Sequence, residues 1–177
     1  MSGFIDFRPV AEADLPLLHL WLNRPHLRRF YQKRAITLDE VVMEYGPAIR
    51  GEEPGRLHLA LQAGRPFGYL QCYRNLDYPH YARELSLSEG ASIDFYIGEP
   101  DSLGRGLGPR MERTYVLDVV LPSYPAESTC YVCHETENRA ALACSLAAGF
   151  KPLRDVIEAG LPSRLLAFPR PVSSTSI

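Results

Sequence analysis

Ser92-Ile-Asp-Phe-Tyr-Ile-Gly98 runs directly into Glu99-Pro-Asp-Ser-Leu-Gly-Arg-Gly-Leu-Gly-Pro109. The first stretch alternates as a strand does, and a helix pattern opens at Gly106 and continues to Leu121. Between them, Gly104, Gly106 and Gly108 let the backbone turn sharply and present its N–H groups without obstruction from a Cβ. Pro109 sits just inside the helix start, where its missing N–H costs nothing. A strand, a glycine-rich turn and a helix N-terminus together make an anion site suited to a pyrophosphate. No Gly-Lys-Ser/Thr ends the loop, so it is not a Walker A sequence, and it lies too far from the chain start to read as a dinucleotide fingerprint. Arg105, Arg110 and Arg113 follow closely enough to reach outer phosphates, and also fit exposed helix positions.

Working outward, Phe4–Val10 reads as a first strand, and Asp14 as the cap of a helix over 15–22 with Leu15, Leu18 and Leu22 on its apolar face. Thr37-Leu-Asp-Glu40 is a capping box that opens a helix to Ile49. Leu57–Ala63 and Phe67–Arg74 form a hairpin around Gly64-Arg65-Pro66. A short helix fits within Tyr78–Leu85. Downstream of the glycine loop come a strand at Ser128–His134, a helix at Asn138–Ala148, and two strands, Phe150–Ile157 and Arg164–Phe168, about a Gly160-Leu-Pro turn. The order βααβββαβαββ predicts an α+β fold: a mixed, mainly antiparallel sheet flanked by helices, with one parallel β-α-β crossover at the glycine loop. Too few strands are followed by helices for a doubly wound nucleotide fold.

The chain has 177 residues, 46% of them hydrophobic and 23% charged, which suits one domain over 1–170 with a loose tail at 171–177. No apolar run approaches the length of a bilayer span and no secretory pattern opens the chain, so a cytoplasmic protein without membrane contact is expected. A net charge of −2 speaks against nucleic acid. Between Asn75 and Asp101 the carboxylates Asp77, Glu84, Glu89, Asp94, Glu99 and Asp101 face only Arg83, a field that attracts a polycation. Cys130 and Cys133 have a zinc-like spacing, but no second pair follows, and on a strand their side chains point to opposite faces. With Cys72 and Cys144 they read as reduced, structural thiols, and no metal is expected.

Leu103-Gly-Arg-Gly-Leu-Gly108 after a strand resembles the coenzyme A pyrophosphate loop of the GNAT acetyltransferase superfamily, and the segment from Asn138 through the helix to Gly149-Phe150 is similar to its later Asn-helix-Gly-Phe motif. Within that superfamily, Trp21-Leu-Asn-Arg-Pro-His26, Phe67-Gly-Tyr-Leu-Gln-Cys-Tyr73 and Ile93-Asp94 resemble segments of aminoglycoside 6'-N-acetyltransferases, the first being shared with siderophore-synthesising acyltransferases. The resemblance implies acetyl-CoA as co-substrate and direct attack by an amine in a ternary complex. It implies cofactor contacts at Phe95, Tyr96, Ile97, Leu103, Gly104, Arg105, Gly106, Leu107, Gly108, Pro109 and Asn138, and a monomer or homodimer. Many superfamily members carry a Tyr seven residues after the Asn, assigned to protonating the leaving thiolate. Here that position is Ser145.

Asp94, on a strand beside the loop, is the residue expected to orient an ammonium and accept its proton, since a carboxylate is disfavoured on a strand without a reason. Glu135 offers a second carboxylate over the same gap. Trp21, Tyr73, Asp77, Tyr78 and Glu84, with Asp94 and Glu135, are the candidates for holding the sugar rings and ammoniums of a cationic aminoglycoside. Each also fits plain packing or solvation. His19 and His26 read as helix-face and capping residues. The rival readings are a siderophore or peptide N-acyltransferase, and a non-catalytic acyl-CoA-binding module that Ser145 keeps open.

Overall fold

The alternating segments become seven strands of one sheet in a computed structural model of the protein, which describes residues 3–172. In chain order the elements are β1 (Ile5–Pro9), α1 (Leu15–Leu22), α2 (Pro25–Arg28), α3 (Leu38–Ile49), β2 (Arg56–Gln62), β3 (Arg65–Arg74), α4 (Pro79–Glu84) and β4 (Ala91–Ile97). There follow α5 (Leu107–Tyr115), a π-helical turn at Val116–Val120, α6 (Leu121–Ser123), β5 (Thr129–Glu135), α7 (Arg139–Ala148), β6 (Lys151–Glu158) and β7 (Leu161–Pro169). The sheet order is β1-β2-β3-β4-β5-β7-β6, and β4–β5 is its one parallel pair. The expected order of strands and long helices is met, with the four-residue α2 added. Of the expected tail, residues 173–177 lie outside the described residues.

Local chemistry explains most boundaries. At α3, Thr37 Oγ1 accepts from Glu40 N at 3.2 Å and Thr37 N donates to Glu40 Oε2 at 2.8 Å, the reciprocal capping box. Asp14 does not cap α1 with its side chain. Its carboxylate accepts from Ala11 N and from the Arg8 guanidinium instead, which pins β1 to the helix start and holds the Asp14 carboxyl below its usual range. Both two-residue hairpin turns fall one residue earlier than Gly64-Arg65-Pro66 and Gly160-Leu-Pro suggested. Ala63 and Gly64 (φ 49° and 76°), like Ala159 and Gly160 (φ 49° and 79°), take the left-handed region that matches strand twist. The helix expected to end at Leu121 contains the π turn, where three valines crowd the chain and Pro122 has no N–H to give.

Helices cover both faces. On one, α5, the π turn and α7 pack Leu107, Met111, Tyr115, Val116 and Ala148 against Phe67, Leu70, Ile93, Val132 and Leu166. On the other, α1–α3 pack Leu18, Trp21, Leu22, Val41 and Tyr45 against Leu57, Leu59, Tyr69 and Tyr96. A third cluster, Ala82, Leu85, Leu87 and Leu165, seats α4 beside the second. Within the β3–β4 segment, Asn75 and Ser92 are fully buried and satisfy each other, Ser92 Oγ donating to Asn75 Oδ1 at 2.6 Å while Asn75 Nδ2 donates to the Glu89 carbonyl at 2.9 Å.

The end of β4 is fixed by a close approach: a Cβ on Gly98 would overlap the Trp21 indole, whose Nε1 donates to Glu99 Oε1 at 2.7 Å. Gly98→Ala is therefore expected to displace Trp21 and cost about 1–3 kcal/mol of unfolding free energy. Urea denaturation measures this, and an unchanged midpoint would contradict the packing.

Candidate active site between the two parallel strands

β4 and β5 pair only at their first residues, Ala91 with Cys130 and Ser92 with Tyr131. Beyond Ser92 they part, while β4 stays laddered to β3 as far as Ile97 opposite Gly68, and β5 to β7 as far as Glu135 opposite Ser163. The sheet splits from within, and the inner edge of β4 offers backbone groups that have no strand partner past Ser92. The gap is a cleft of about 510 Å³ walled by Asp94–Ile97 on one side and Val132–Glu135 on the other. Leu103, Gly108, Asn138, Ala141 and Cys144 close it on the helix face, and His26, Leu27, Phe30 and Tyr31 on the other. Gly106, in the left-handed region at φ 70°, caps α5 at the mouth, so the first N–H groups of that helix point outward there.

Along β4 the side chains divide by face. Phe95 and Ile97 pack toward α5 and α7, while Asp94 and Tyr96 look toward α1–α3. Asp94 is partly buried, and Gln71 Nε2 donates to its Oδ2 at 2.7 Å. Gln71 is itself oriented by the Tyr69 hydroxyl, which donates to Oε1 at 2.7 Å. Burial raises the Asp94 carboxyl above its usual range, and hydrogen bonds from Gln71 and Tyr73 hold the rise back. A carboxylate raised in this way is a better base. Glu135, Glu158 and Glu44 line the same cleft. Burial also raises Glu158 and Glu44, and Glu135 pairs with Lys33 at 2.6 Å.

Behind the cleft lies a buried polar chain. Glu112 of α5 and Ser145 of α7 are fully buried, with Ser145 Oγ 2.7 Å from Glu112 Oε1 and 2.8 Å from His134 Nε2. Burial pushes Glu112 up to about 8 and His134 down to about 4. Ser145, expected at the position of a superfamily Tyr, thus points away from solvent and joins the other two.

Of the expected site residues, Asp94, Phe95, Tyr96, Ile97, Leu103, Gly108, Asn138 and Glu135 come together around this cleft. Tyr96 is among them although its ring is stacked on Tyr69 at 5.0 Å in the core. Gly104, Gly106, Leu107 and Pro109 form the adjoining turn and first helical turn, Leu107 being buried. Arg105 lies on a separate surface hollow with Arg65, Glu99 and Asp101. Arg110 donates to the Gly3 carbonyl, and Arg113 donates to the Ala148 carbonyl and lies over Phe168, so both serve packing.

Three expected substrate contacts are placed elsewhere. Trp21 is fully buried, Asp77 is paired with Arg74, and Glu84 accepts from Ala159 N at 2.7 Å to hold the β6–β7 turn. Tyr73 and Tyr78 line a second hollow of about 300 Å³ beside the first, with Tyr81, Gln71, Glu44 and Glu53. His26 bonds the Ile97 carbonyl through Nε2 at 2.9 Å and so lines the cleft instead of capping a helix. Gln71, Glu44, Glu158, Tyr31 and His134 were not foreseen. The period of two along a strand marks His134, which shares a face with Cys130 and Val132. All four cysteines are reduced, and among the described residues no group of three or more His, Cys, Asp or Glu is placed to hold a metal.

Comparison with known proteins bears on this geometry. The family model described as an acetyltransferase (GNAT) domain matches residues 10–157. An aminoglycoside N(6')-acetyltransferase type 1 of Klebsiella pneumoniae is 29% identical over 150 residues, covering 83% of this chain and 74% of the relative. The solved structure of the aminoglycoside acetyltransferase AAC(6')-Ib with paromomycin and acetyl-CoA superposes with a TM-score of 0.77 at 26% identity, over 94% of this chain and 93% of that one. The same enzyme with coenzyme A and kanamycin gives a TM-score of 0.77 at 25% identity, over 94% and 95%.

The buried acid has a thermodynamic signature. The unfolded chain releases the Glu112 proton near the ordinary 4.5, and the folded chain holds it to about 8. Its stabilising contribution is complete below the lower value and is lost as pH rises through that window, at up to about 1.4 kcal/mol per pH unit. Urea unfolding between these limits should show that slope, and Glu112→Gln should flatten it. Equal slopes in the two proteins would contradict a protonated Glu112.

Proposed function

The chain belongs to the GNAT acetyltransferase family, and from that premise we propose that it transfers an acetyl group from acetyl-CoA to an amine of an aminoglycoside, the 6'-amine in particular. The observation that carries the reading is the split between β4 and β5, a slot with a helix N-terminus at its mouth and a raised carboxylate on its wall. The relatives named above, which act on aminoglycosides at the 6' position, supply the acceptor class.

In this reading the pyrophosphate lies against the turn at Leu103–Gly108 and the first N–H groups of α5, where the helix dipole favours negative charge. The pantetheine arm runs between the strands and takes up the backbone groups that β4 leaves unpaired. An N–H of the Phe95–Ile97 edge polarises the acetyl carbonyl, stabilising the oxyanion as the amine attacks. Asp94, held by Gln71, receives the substrate ammonium and takes its proton, directly or through one water, so that a neutral amine attacks. Glu44, Glu135 and Glu158 give the remaining ammoniums their counter-charges, and Tyr31, Tyr73, Tyr78 and Tyr81 give ring faces across the two adjoining hollows. The acidic lining disfavours the anionic acceptors of the rival acyltransferase readings. A monomer or homodimer working in the cytoplasm is part of the same reading.

Acetyl-CoA turnover, followed by released thiol with kanamycin-like aminoglycosides, should require a 6'-amine and vanish with a 6'-hydroxyl. Turnover by both, or by neither, would refute the regiochemistry. With a good acceptor, Asp94→Asn is expected to lower kcat by about two orders of magnitude. The wild-type rate should fall as pH drops through the raised Asp94 value, because protonation removes the base. Near-normal turnover in Asp94→Asn would remove Asp94 from the mechanism.

A further inference from the structure

Acetyl transfer releases coenzyme A as a thiolate, and the residue found in many superfamily members to protonate it is here Ser145, whose hydroxyl is sealed from the cleft. The sealed hydroxyl is not idle. It stands 2.7 Å from Glu112 Oε1 and 2.8 Å from His134 Nε2, and the His134 ring lines the cleft in edge-on contact with Phe95 at 5.8 Å. With Nε2 engaged by Ser145, Nδ1 is the ring nitrogen left for a cleft ligand. Resting on the acetyl-transfer reading above, we propose that His134 is the acid that protonates the departing coenzyme A thiolate, and that it is recharged through Ser145 from the buried Glu112.

The step balances within the chain of three. At the start the Glu112 carboxyl donates to Ser145 Oγ, the Ser145 hydroxyl donates to Nε2, and the neutral ring carries its proton on Nδ1. The C–S bond breaks as the amide C–N bond forms, and the thiolate keeps the electron pair. Nδ1 gives its proton to that sulfur, Nε2 takes the Ser145 proton, and Ser145 takes the Glu112 proton. Coenzyme A leaves as the thiol and Glu112 remains as a carboxylate, now accepting from Ser145. Water in the cleft returns one proton to Nδ1 before the next turnover, whereupon Nε2 gives its proton back to Ser145 and Ser145 gives its own back to the sealed Glu112. Every hydrogen bond in the chain reverses direction, and no heavy atom has to move.

The surroundings suit this role. Groups bonded to Glu112 are Ser145 and the Cys144 thiol from α7, 3.6 Å from Oε2, and the buried Cys130 of β5 is near enough to feel its charge. None is a cation, and Arg113 beside it is turned to the Ala148 carbonyl. Around His134 stand Phe95 from β4, Arg164 on β7, which is paired with Asp155, and Glu135, which is paired with Lys33. A cysteine-like thiol titrates at about 8.5, so an acid held to about 8 passes it a proton nearly isoenergetically, as efficient general acids do. His134 alone, pushed down to about 4, stays neutral near pH 7 and can act only as a link that gains one proton as it gives another.

The test is kcat against pH with a 6'-amino aminoglycoside, for wild type, Glu112→Gln, Ser145→Ala and His134→Gln, with coenzyme A affinity measured alongside. The expected wild-type rate declines above about pH 8 as Glu112 loses its proton. Each variant should lose that decline and run roughly 10²-fold slower below it, at the low end for a positioned acid, with coenzyme A affinity unchanged. A merely structural role would alter coenzyme A affinity and leave the high-pH limb in place, and variants that keep both the rate and the limb overturn the relay. His134→Gln changes a partly exposed side chain, so it carries the test if either buried substitution fails to fold. Should wild type acetylate no aminoglycoside, the acceptor reading fails alone. The relay is then read from thiolate absorbance of bound coenzyme A, whose titration should differ between wild type and His134→Gln, an identical titration overturning it.

Discussion

A parallel pair of strands that stops pairing after two residues is the constraint on which the rest of the structure depends. Ladder hydrogen bonds are obligatory for buried backbone, so a sheet that opens in its middle must have other means of keeping its halves apart and its edges satisfied. Each strand is therefore held by its outer neighbour for its full length, β4 by β3 and β5 by β7. Phe95 and His134 stand ring to ring on one face of the opening. His26 takes the Ile97 carbonyl, and Gly98 N donates to the Phe67 carbonyl at 2.8 Å. What is left over is a polar backbone edge of the length and chemistry that an amide-bearing arm can complete.

The helix layer behind the opening depends on small residues. Gly108 of α5 faces Cys144 of α7, where a Cβ would lie 2.9 Å from Sγ, and Ser145 and Ala148 continue the contact. That closeness lets Glu112 reach Ser145 and, through it, a histidine on the sheet. A larger residue at any of these positions would move α5 and the polar chain together.

Elements whose signals are local were legible in the sequence. The capping box at Thr37, the glycine turn before α5 and the Asn138 cap, whose side chain accepts from Ala141 N at 3.3 Å, are settled by residues within a few positions of one another. The alternation of Ser92–Gly98 was legible too, and in the structure it sets Asp94 and Phe95 on opposite faces. What the sequence could not disclose was partnership across distance. Trp21 lies in a segment that matches a family pattern, yet its indole is used against Gly98 and Glu99, more than seventy residues away. Asp77 and Glu84 belong to an acidic run, but Arg74 and the β6–β7 turn claim them first. Glu112, within Arg-Met-Glu-Arg, has the look of a solvated helix charge, and only the packing of α7 shows it buried without a cation. Charge composition indicated the sign of the ligand and left open which carboxylates remain available to meet it.

The Lys33–Glu135 ion pair at the cleft gives the last consequence. A carboxylate already matched to an ammonium has shed part of its hydration before any ligand arrives. A polyamine that docks there need not strip a bare anion of water, because it exchanges one tethered cation for one of its own. Lys33, on a half-exposed side chain, is the tethered cation that such a guest would displace. Docking of such a guest would resemble ion exchange on a resin. Selectivity is set by how many such exchanges one molecule can make at once.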